Sequence, residues 1–69
     1  MDYANSKMAV LIAEYVHRDL DRRLLLLRYI DGHTYERIAE EVDMSVRQVQ
    51  NIDYKFRNSV LIHHYRDLN

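Results

Sequence analysis

The stretch that decides the fold is TYERIAEEVDMSVRQV, residues 34–49. Its apolar residues recur at steps of three and four, a spacing that places them on one face of a helix. They are Ile38, Ala39, Val42, Val46 and Val49. A break at residues 43–45 divides the pattern into two short amphipathic helices, so the stretch has the spacing of a helix-turn-helix motif.

Capping signals mark where both helices of this motif begin. Thr34 has a hydroxyl that can accept a hydrogen bond from the free amides of the first helix. Ser45 followed by Gln48 is the pattern of a capping box, in which each side chain bonds the other residue's backbone amide. We therefore predict a positioning helix over about 34–42 and a recognition helix over about 46–65, the second of which can lie in the major groove of DNA.

Two further helices are predicted upstream of the motif. The first covers about residues 5–17. The second opens at Asp19 or Asp21 and closes at Gly32, which can take the left-handed conformation that ends a helix. Four consecutive leucines, residues 24–27, span most of the circumference of this second helix at about 100° per residue. Neighbouring segments must therefore cover it on several sides.

The composition is typical of a small helical protein. The chain has 69 residues, one glycine, no proline and no cysteine. So few breakers favour an all-α domain of four helices that takes up residues 1–69. The lack of cysteine excludes a disulfide framework and a thiolate zinc site, and it is typical of the reducing cytoplasm. The start of the chain lacks a basic stretch before an apolar one, so we expect neither a signal peptide nor a membrane span.

Charge is distributed unevenly along the chain. The total is 10 basic against 11 acidic side chains, a formal net charge of −1. Residues 1–44 hold six basic and nine acidic side chains, whereas residues 45–69 hold four basic and two acidic ones. The total argues against a protein that coats nucleic acid by charge alone, while the local positive excess falls on the predicted recognition helix.

No cluster of side chains in the sequence predicts catalysis. His63 and His64 point about 100° apart on a helix, so they do not form the one-face pair that a metal needs. Glu36, Glu40 and Glu41 are typical of the solvated face of a short amphipathic helix. We expect a protein that is not an enzyme and that uses neither a cofactor nor a metal.

The segment from Leu20 to Leu61 resembles the fourth conserved region of bacterial primary-type sigma factors and the related small, often phage-borne, transcription regulators. Residues 20–29 are similar to the helix before the reader, residues 31–42 to its positioning helix, and residues 44–49 to the start of its recognition helix. Asp43 stands where such sequences usually have glycine, and aspartate tolerates the left-handed conformation better than most residues. The resemblance implies a DNA-binding regulator in the cytoplasm of a bacterial cell or a phage-infected host.

The predicted recognition helix has a polar face opposite its apolar stripe. At about 100° per residue, a projection from Arg47 places Asn51 and Asn58 within about 40° of it. Arginine can pair bidentately with guanine and an amide with adenine, whereas lysine suits phosphate. The predicted base-reading residues are Arg47, Gln48, Gln50, Asn51 and Tyr54. The predicted phosphate contacts are Thr34, Arg28, Arg37, Lys55 and Asn58, to which Arg22 and Arg23 could add.

The C-terminal run Val60-Leu61-Ile62 cannot face a single neighbour, because three consecutive aliphatic residues spread around a helix. Packing against the first helix of the same chain and contact between two copies in a symmetric dimer explain it equally well. The candidate dimer contact consists of Met8, Leu11, Ile12, Leu61 and Tyr65.

Two functions from different classes fit these features. The first is a sequence-specific transcription regulator that reads double-stranded DNA. The second is a protein-interaction module, an inhibitor or adaptor, that binds RNA polymerase or another nucleoprotein machine and binds DNA weakly or not at all. A structural homodimer that has lost DNA binding is a third.

Overall fold

The computed structural model describes residues 3–64, with side chains from Ser6 onward. This part of the chain contains four α-helices and no strand, which confirms the predicted all-α fold. The helices are α1 (Tyr3–Tyr15), α2 (Asp19–Tyr29), α3 (Tyr35–Val42) and α4 (Val46–Phe56). None of the described helices is long and apolar enough to cross a membrane.

The predicted recognition helix is interrupted, which corrects its expected extent of about 46–65. The α-helical hydrogen bonding of α4 ends at Phe56, and a π-helical segment, Arg57–Leu61, follows before residues 62–64 return to α-helix. Ser59 Oγ donates a hydrogen bond of 2.6 Å to the carbonyl of Lys55, and such a side-chain bond competes with the backbone ladder. Tyr65, the predicted end of the helix, lies outside the described residues.

The turn between α3 and α4 forms as the sequence predicts. Asp43 adopts the left-handed conformation, with φ of 55° and ψ of 52°, and its N–H donates to the carbonyl of Ala39. The Thr34 hydroxyl accepts a hydrogen bond of 3.2 Å from the amide of Arg37. Ser45 and Gln48 complete the capping box in both directions. Side-chain hydrogen bonds therefore cap the start of both helices, and the left-handed Asp43 ends α3 at the turn.

Helix α2 lies at the centre of the fold and contacts the other three helices. Leu24 and Leu25 are completely enclosed, whereas Leu26 is 37% exposed and Leu27 packs against the edge of the core. The expected cover on several sides is thus present for three of the four leucines. Ile38 of α3 and Val49 of α4 are buried with them.

Helix α1 packs against its own chain, which corrects part of the candidate dimer contact. Leu11 and Ile12 are core residues and so are unavailable to a second copy. Arg22 of α2 donates hydrogen bonds to the carbonyls of Ala13, at 2.7 Å, and Val16, and it thereby caps the end of α1. Met8 and Leu61 are half-buried against the same core, and Tyr65 lies outside the described residues.

Candidate nucleic-acid interface

The buried side of α4 carries a charged residue that holds the helix to its supports. Within the described part of the chain, Asp53 is the one buried charged residue, with no exposed surface. The Tyr29 hydroxyl of α2 donates to its Oδ1, and the Tyr35 hydroxyl of α3 donates to its Oδ2 at 2.5 Å. Because one carboxylate accepts from both supporting helices, this tyrosine–aspartate cluster (Tyr29, Tyr35 and Asp53) fixes the orientation of α4.

Arg57 closes the cluster at its exposed edge. Its Nε donates a hydrogen bond of 3.0 Å to the Tyr29 hydroxyl and lies 3.9 Å from Asp53 Oδ1. The sequence places Arg57 four residues after Asp53 and so predicts this ion pair. The two tyrosine donors come from 24 and 18 residues earlier in the chain, and periodicity within α4 gives no sign of them.

The environment of the cluster shifts the titration of both tyrosines. Burial, followed by the hydrogen bond to Asp53, raises the pKa of Tyr29 well above the ordinary value of 10.0. The same two causes, in the same order, raise the pKa of Tyr35. Both hydroxyls therefore keep their protons in the folded state at a pH where unfolded tyrosines lose them.

This retention predicts a loss of stability in alkali. Above pH 10 the unfolded chain releases protons that the folded chain keeps, so the free energy of unfolding falls by up to about 1.4 kcal/mol per pH unit for each retained proton. Denaturant unfolding between pH 9 and pH 12, roughly the window around the ordinary tyrosine pKa, should show this decline. Tyr29→Phe should flatten it, whereas a variant of the exposed Tyr54, Tyr54→Phe, should not.

The opposite side of α4 carries polar side chains that the fold does not use. Arg47, Asn51 and Tyr54 are exposed and Gln50 is half-buried. No side-chain hydrogen bond, ion pair or ring contact joins these four, which we call the reading face, to any residue that the structure describes. Their donors and acceptors are available to a ligand, and their spacing matches one side of a helix of about two turns.

Gln48 stands apart from the reading face. Its Oε1 accepts a hydrogen bond of 3.0 Å from the amide of Ser45 as part of the capping box. Bidentate recognition of adenine needs both the oxygen and the nitrogen of the amide group. Gln48 would have to leave the capping box to read a base in that way.

The family comparison agrees with this geometry. Residues 19–52 match the family model described as Sigma-70, region 4. This match supports a sigma region 4-like helix-turn-helix domain over these residues. Comparison with curated proteins and with solved structures gave no match. The matched segment begins at the first residue of α2 and extends into α4, so it contains the helix-turn-helix and the helix that supports it.

Sigma-70 region 4 is a DNA-binding helix-turn-helix domain and not a catalytic fold. Domains of this family bind DNA and RNA polymerase. In this chain, the second helix of the motif presents the reading face away from the core, and the tyrosine–aspartate cluster holds its back. The resemblance predicted from Leu20 to Leu61 begins within one residue of the matched segment and extends beyond its end.

The predicted phosphate contacts differ in how freely they can reach a ligand. Lys55 and Asn58 are exposed on α4 and beyond it, and Thr34 is exposed at the start of α3, where its hydroxyl also serves as the cap. Arg37 forms an ion pair of 3.6 Å with Glu41. Arg28 is half-buried, and its guanidinium donates to the carbonyl of His33 at 3.0 Å, so the fold already uses it.

Two further arginines, Arg22 and Arg23, lie on α2, apart from the reading face. The Arg22 guanidinium donates hydrogen bonds to carbonyls at the end of α1, as described above. Arg23 is exposed on the outer side of α2, away from the buried face that Leu24 and Leu25 define. Neither arginine is part of α4, the helix that carries the reading face.

Proposed function

We propose that the chain is a sequence-specific transcription regulator that reads double-stranded DNA with α4. The observation that carries the proposal is the reading face, because its four polar side chains belong to the second helix of a helix-turn-helix and have no partner among the described residues. Arginine and amide side chains are the residue types that distinguish base edges in the major groove. The protein would act where DNA is transcribed, in the cytoplasm of a bacterial cell or a phage-infected host.

The rigid attachment of α4 supports this function. Base reading requires side chains that are held within a fraction of an ångström of their targets by a well-packed support. Val49 and Phe56 are buried in the core, and Asp53 accepts hydrogen bonds from two other helices. The backbone of α4 is therefore fixed from behind, while its exposed side is free to contact DNA.

The test is selection of a binding site from a random DNA pool, followed by fluorescence anisotropy at low salt. Wild-type protein should enrich a defined sequence, because each bidentate base contact contributes about 1–3 kcal/mol of discrimination. Arg47→Ala and Asn51→Ala should each weaken binding to the selected site by about 5- to 150-fold, the factor that corresponds to this free energy. Both should change non-specific binding much less.

Arg23→Ala is the matched control, since it removes an exposed arginine from the outer side of α2. It should bind the selected site as tightly as wild type does. Failure to enrich any sequence, or unchanged affinity in Arg47→Ala and Asn51→Ala, would contradict base reading by this face.

A protein partner is a second candidate, favoured by exposed aliphatic side chains away from the reading face. Val10 of α1 is 54% exposed and Ile62 is 66% exposed, and apolar side chains in water are common where partners bind. Domains of this family bind RNA polymerase. Co-migration with purified bacterial RNA polymerase, lost in Val10→Asp or Ile62→Asp but kept in Arg47→Ala, would favour an adaptor or inhibitor over a DNA reader.

A homodimer is proposed because two copies would bind DNA more tightly than one. A single copy offers few phosphate contacts, and salt-sensitive affinity rises with their number. Light scattering of the protein alone and on its selected DNA measures the number of copies. Two copies predict a palindromic site with half-sites about one helical turn apart.

A further inference from the structure

A groove separates α4 from the loop between α1 and α2. Its volume is about 420 Å³, and apolar side chains of the core form its floor. On the α4 side it is lined by Asn51 and Lys55, and on the loop side by His17 and Arg18. The loop is therefore next to the reading face, although the two segments are more than thirty residues apart in the sequence.

The groove and α3 lie on opposite sides of the reading face. In a projection from Arg47 at about 100° per residue, Lys55, which lines the groove, falls at about 80° on one side of the reading face. Asp53, which bonds Tyr35 of α3, falls at about 240°, beyond the other side of that face. A helix in the major groove of DNA has a phosphate backbone on each side of it. Thr34, at the start of α3, is the predicted contact to one of these backbones, and the α1–α2 loop lies on the side of the other.

Arg18 is the unused cation of this loop. Within the described part of the chain, four basic side chains make no hydrogen bond, ion pair or ring contact with a described residue. They are Arg18, Arg23, Arg47 and Lys55. Three of the four belong to the reading face or the groove beside it. The remaining one, Arg23, lies on the outer side of α2.

Arg22 holds the loop that carries Arg18. Its guanidinium bonds the carbonyl of Ala13, in the last turn of α1, and the carbonyl of Val16, the first residue of the loop. These bonds fix the end of α1 against the start of α2. Arg18 is therefore presented from a tethered segment, and its side chain loses less freedom on binding than it would from an untethered one.

We infer that Arg18 and Lys55 together grip the DNA backbone on the side of α4 opposite α3. The inference rests on the proposed function, which it extends from the reading face to a second contact line on the α1–α2 loop. Asp21 also lines the groove and is half-buried there. Its carboxylate repels phosphate, so it limits the strength of this grip and offers a second way to test it.

The experiment measures affinity for the selected DNA and for unrelated DNA over a range of salt concentrations. Arg18→Ala should weaken both affinities severalfold by a similar factor, and it should lower the slope of log affinity against log salt by about 1. Arg18→Lys should retain the wild-type slope. Asp21→Asn should strengthen both affinities. Arg23→Ala, the control with equal charge loss, should leave affinity and slope unchanged.

The outcomes separate this inference from the proposed function. If wild type and Arg47→Ala differ as expected but Arg18→Ala matches wild type in affinity and slope, the second contact line is wrong while base reading stands. If wild-type protein selects no DNA sequence, both are wrong. Thermal unfolding of Arg18→Ala should match wild type, because the Arg18 side chain has no partner among the described residues. If Arg23→Ala loses as much DNA affinity as Arg18→Ala does, the effect comes from net charge alone and the inference is wrong.

Discussion

A variant that carries both Tyr29→Phe and Tyr35→Phe is expected to lose about 3–5 kcal/mol of unfolding free energy, the range found when a buried charge is deprived of its partners. Asp53 has no exposed surface, and the two tyrosine hydroxyls donate hydrogen bonds to its carboxylate. In a chain of fewer than about 70–80 residues, a single hydrophobic core rarely supplies more than about 3–5 kcal/mol of stability. The double variant should therefore be largely unfolded or close to it, whereas each single variant should lose about 1.5–3 kcal/mol.

The double variant also allows a rescue. Adding Asp53→Leu removes the carboxylate that has lost its donors, and an apolar side chain of similar volume suits the same enclosed position. Urea unfolding followed by circular dichroism should show that the triple variant recovers most of the lost stability. Recovery would assign the loss to the unpaired charge. An equally unstable triple variant would instead assign it to packing around the two rings.

The second large effect is expected in the four-leucine run of α2. Leu24→Ala should lower the unfolding free energy by about 2–5 kcal/mol, because it empties a fully enclosed site in the core. Leu26→Ala removes the same atoms two residues later from a side chain that is 37% exposed, and it should lower the free energy by about 1 kcal/mol or less. Urea unfolding of the two variants under one set of conditions gives the comparison.

The dependence on urea concentration checks that the two leucine variants are comparable. Both should keep the wild-type slope of free energy against urea, since this slope reports the surface exposed on unfolding. Similar losses in both variants would mean that a neighbouring surface covers Leu26 in solution. The four-leucine run would then be enclosed on all sides, as a second copy or a protein partner could arrange.

The parts of the fold that sequence reasoning predicts are those that neighbouring residues determine. The hydroxyl of Thr34, the capping box of Ser45 and Gln48 and the left-handed Asp43 act within a few residues of themselves, and all three form. The π-helical segment after Phe56 does not follow from the sequence pattern; in it Ser59 bonds the carbonyl of Lys55, and Val60 is buried. Hydrophobic periodicity does not resolve a one-residue change in hydrogen bonding.

In the candidate site, too, local sequence patterns predict some features and contacts between helices determine the others. Periodicity placed Arg47 and Asn51 on the side of α4 that the structure leaves exposed, because an amphipathic helix shows its polar side in its own sequence. The tyrosine partners of Asp53 come from other helices, and the carbonyl partners of Arg22 come from the end of α1 and the residue after it. No local pattern predicts these partners. For this reason Arg22 and Arg28, both predicted as phosphate contacts, are half-buried and bonded to backbone carbonyls of their own chain.

The separation between the two sides of α4 has a consequence for how proteins of this architecture diverge. Asp53, Val49 and Phe56 hold the helix from behind. None of the four side chains on its front forms a hydrogen bond, ion pair or ring contact with a residue that the structure describes. Exchange of those four residues should alter which DNA sequence is addressed while leaving the melting temperature nearly constant. One scaffold can then acquire new targets through substitutions that selection for stability does not oppose.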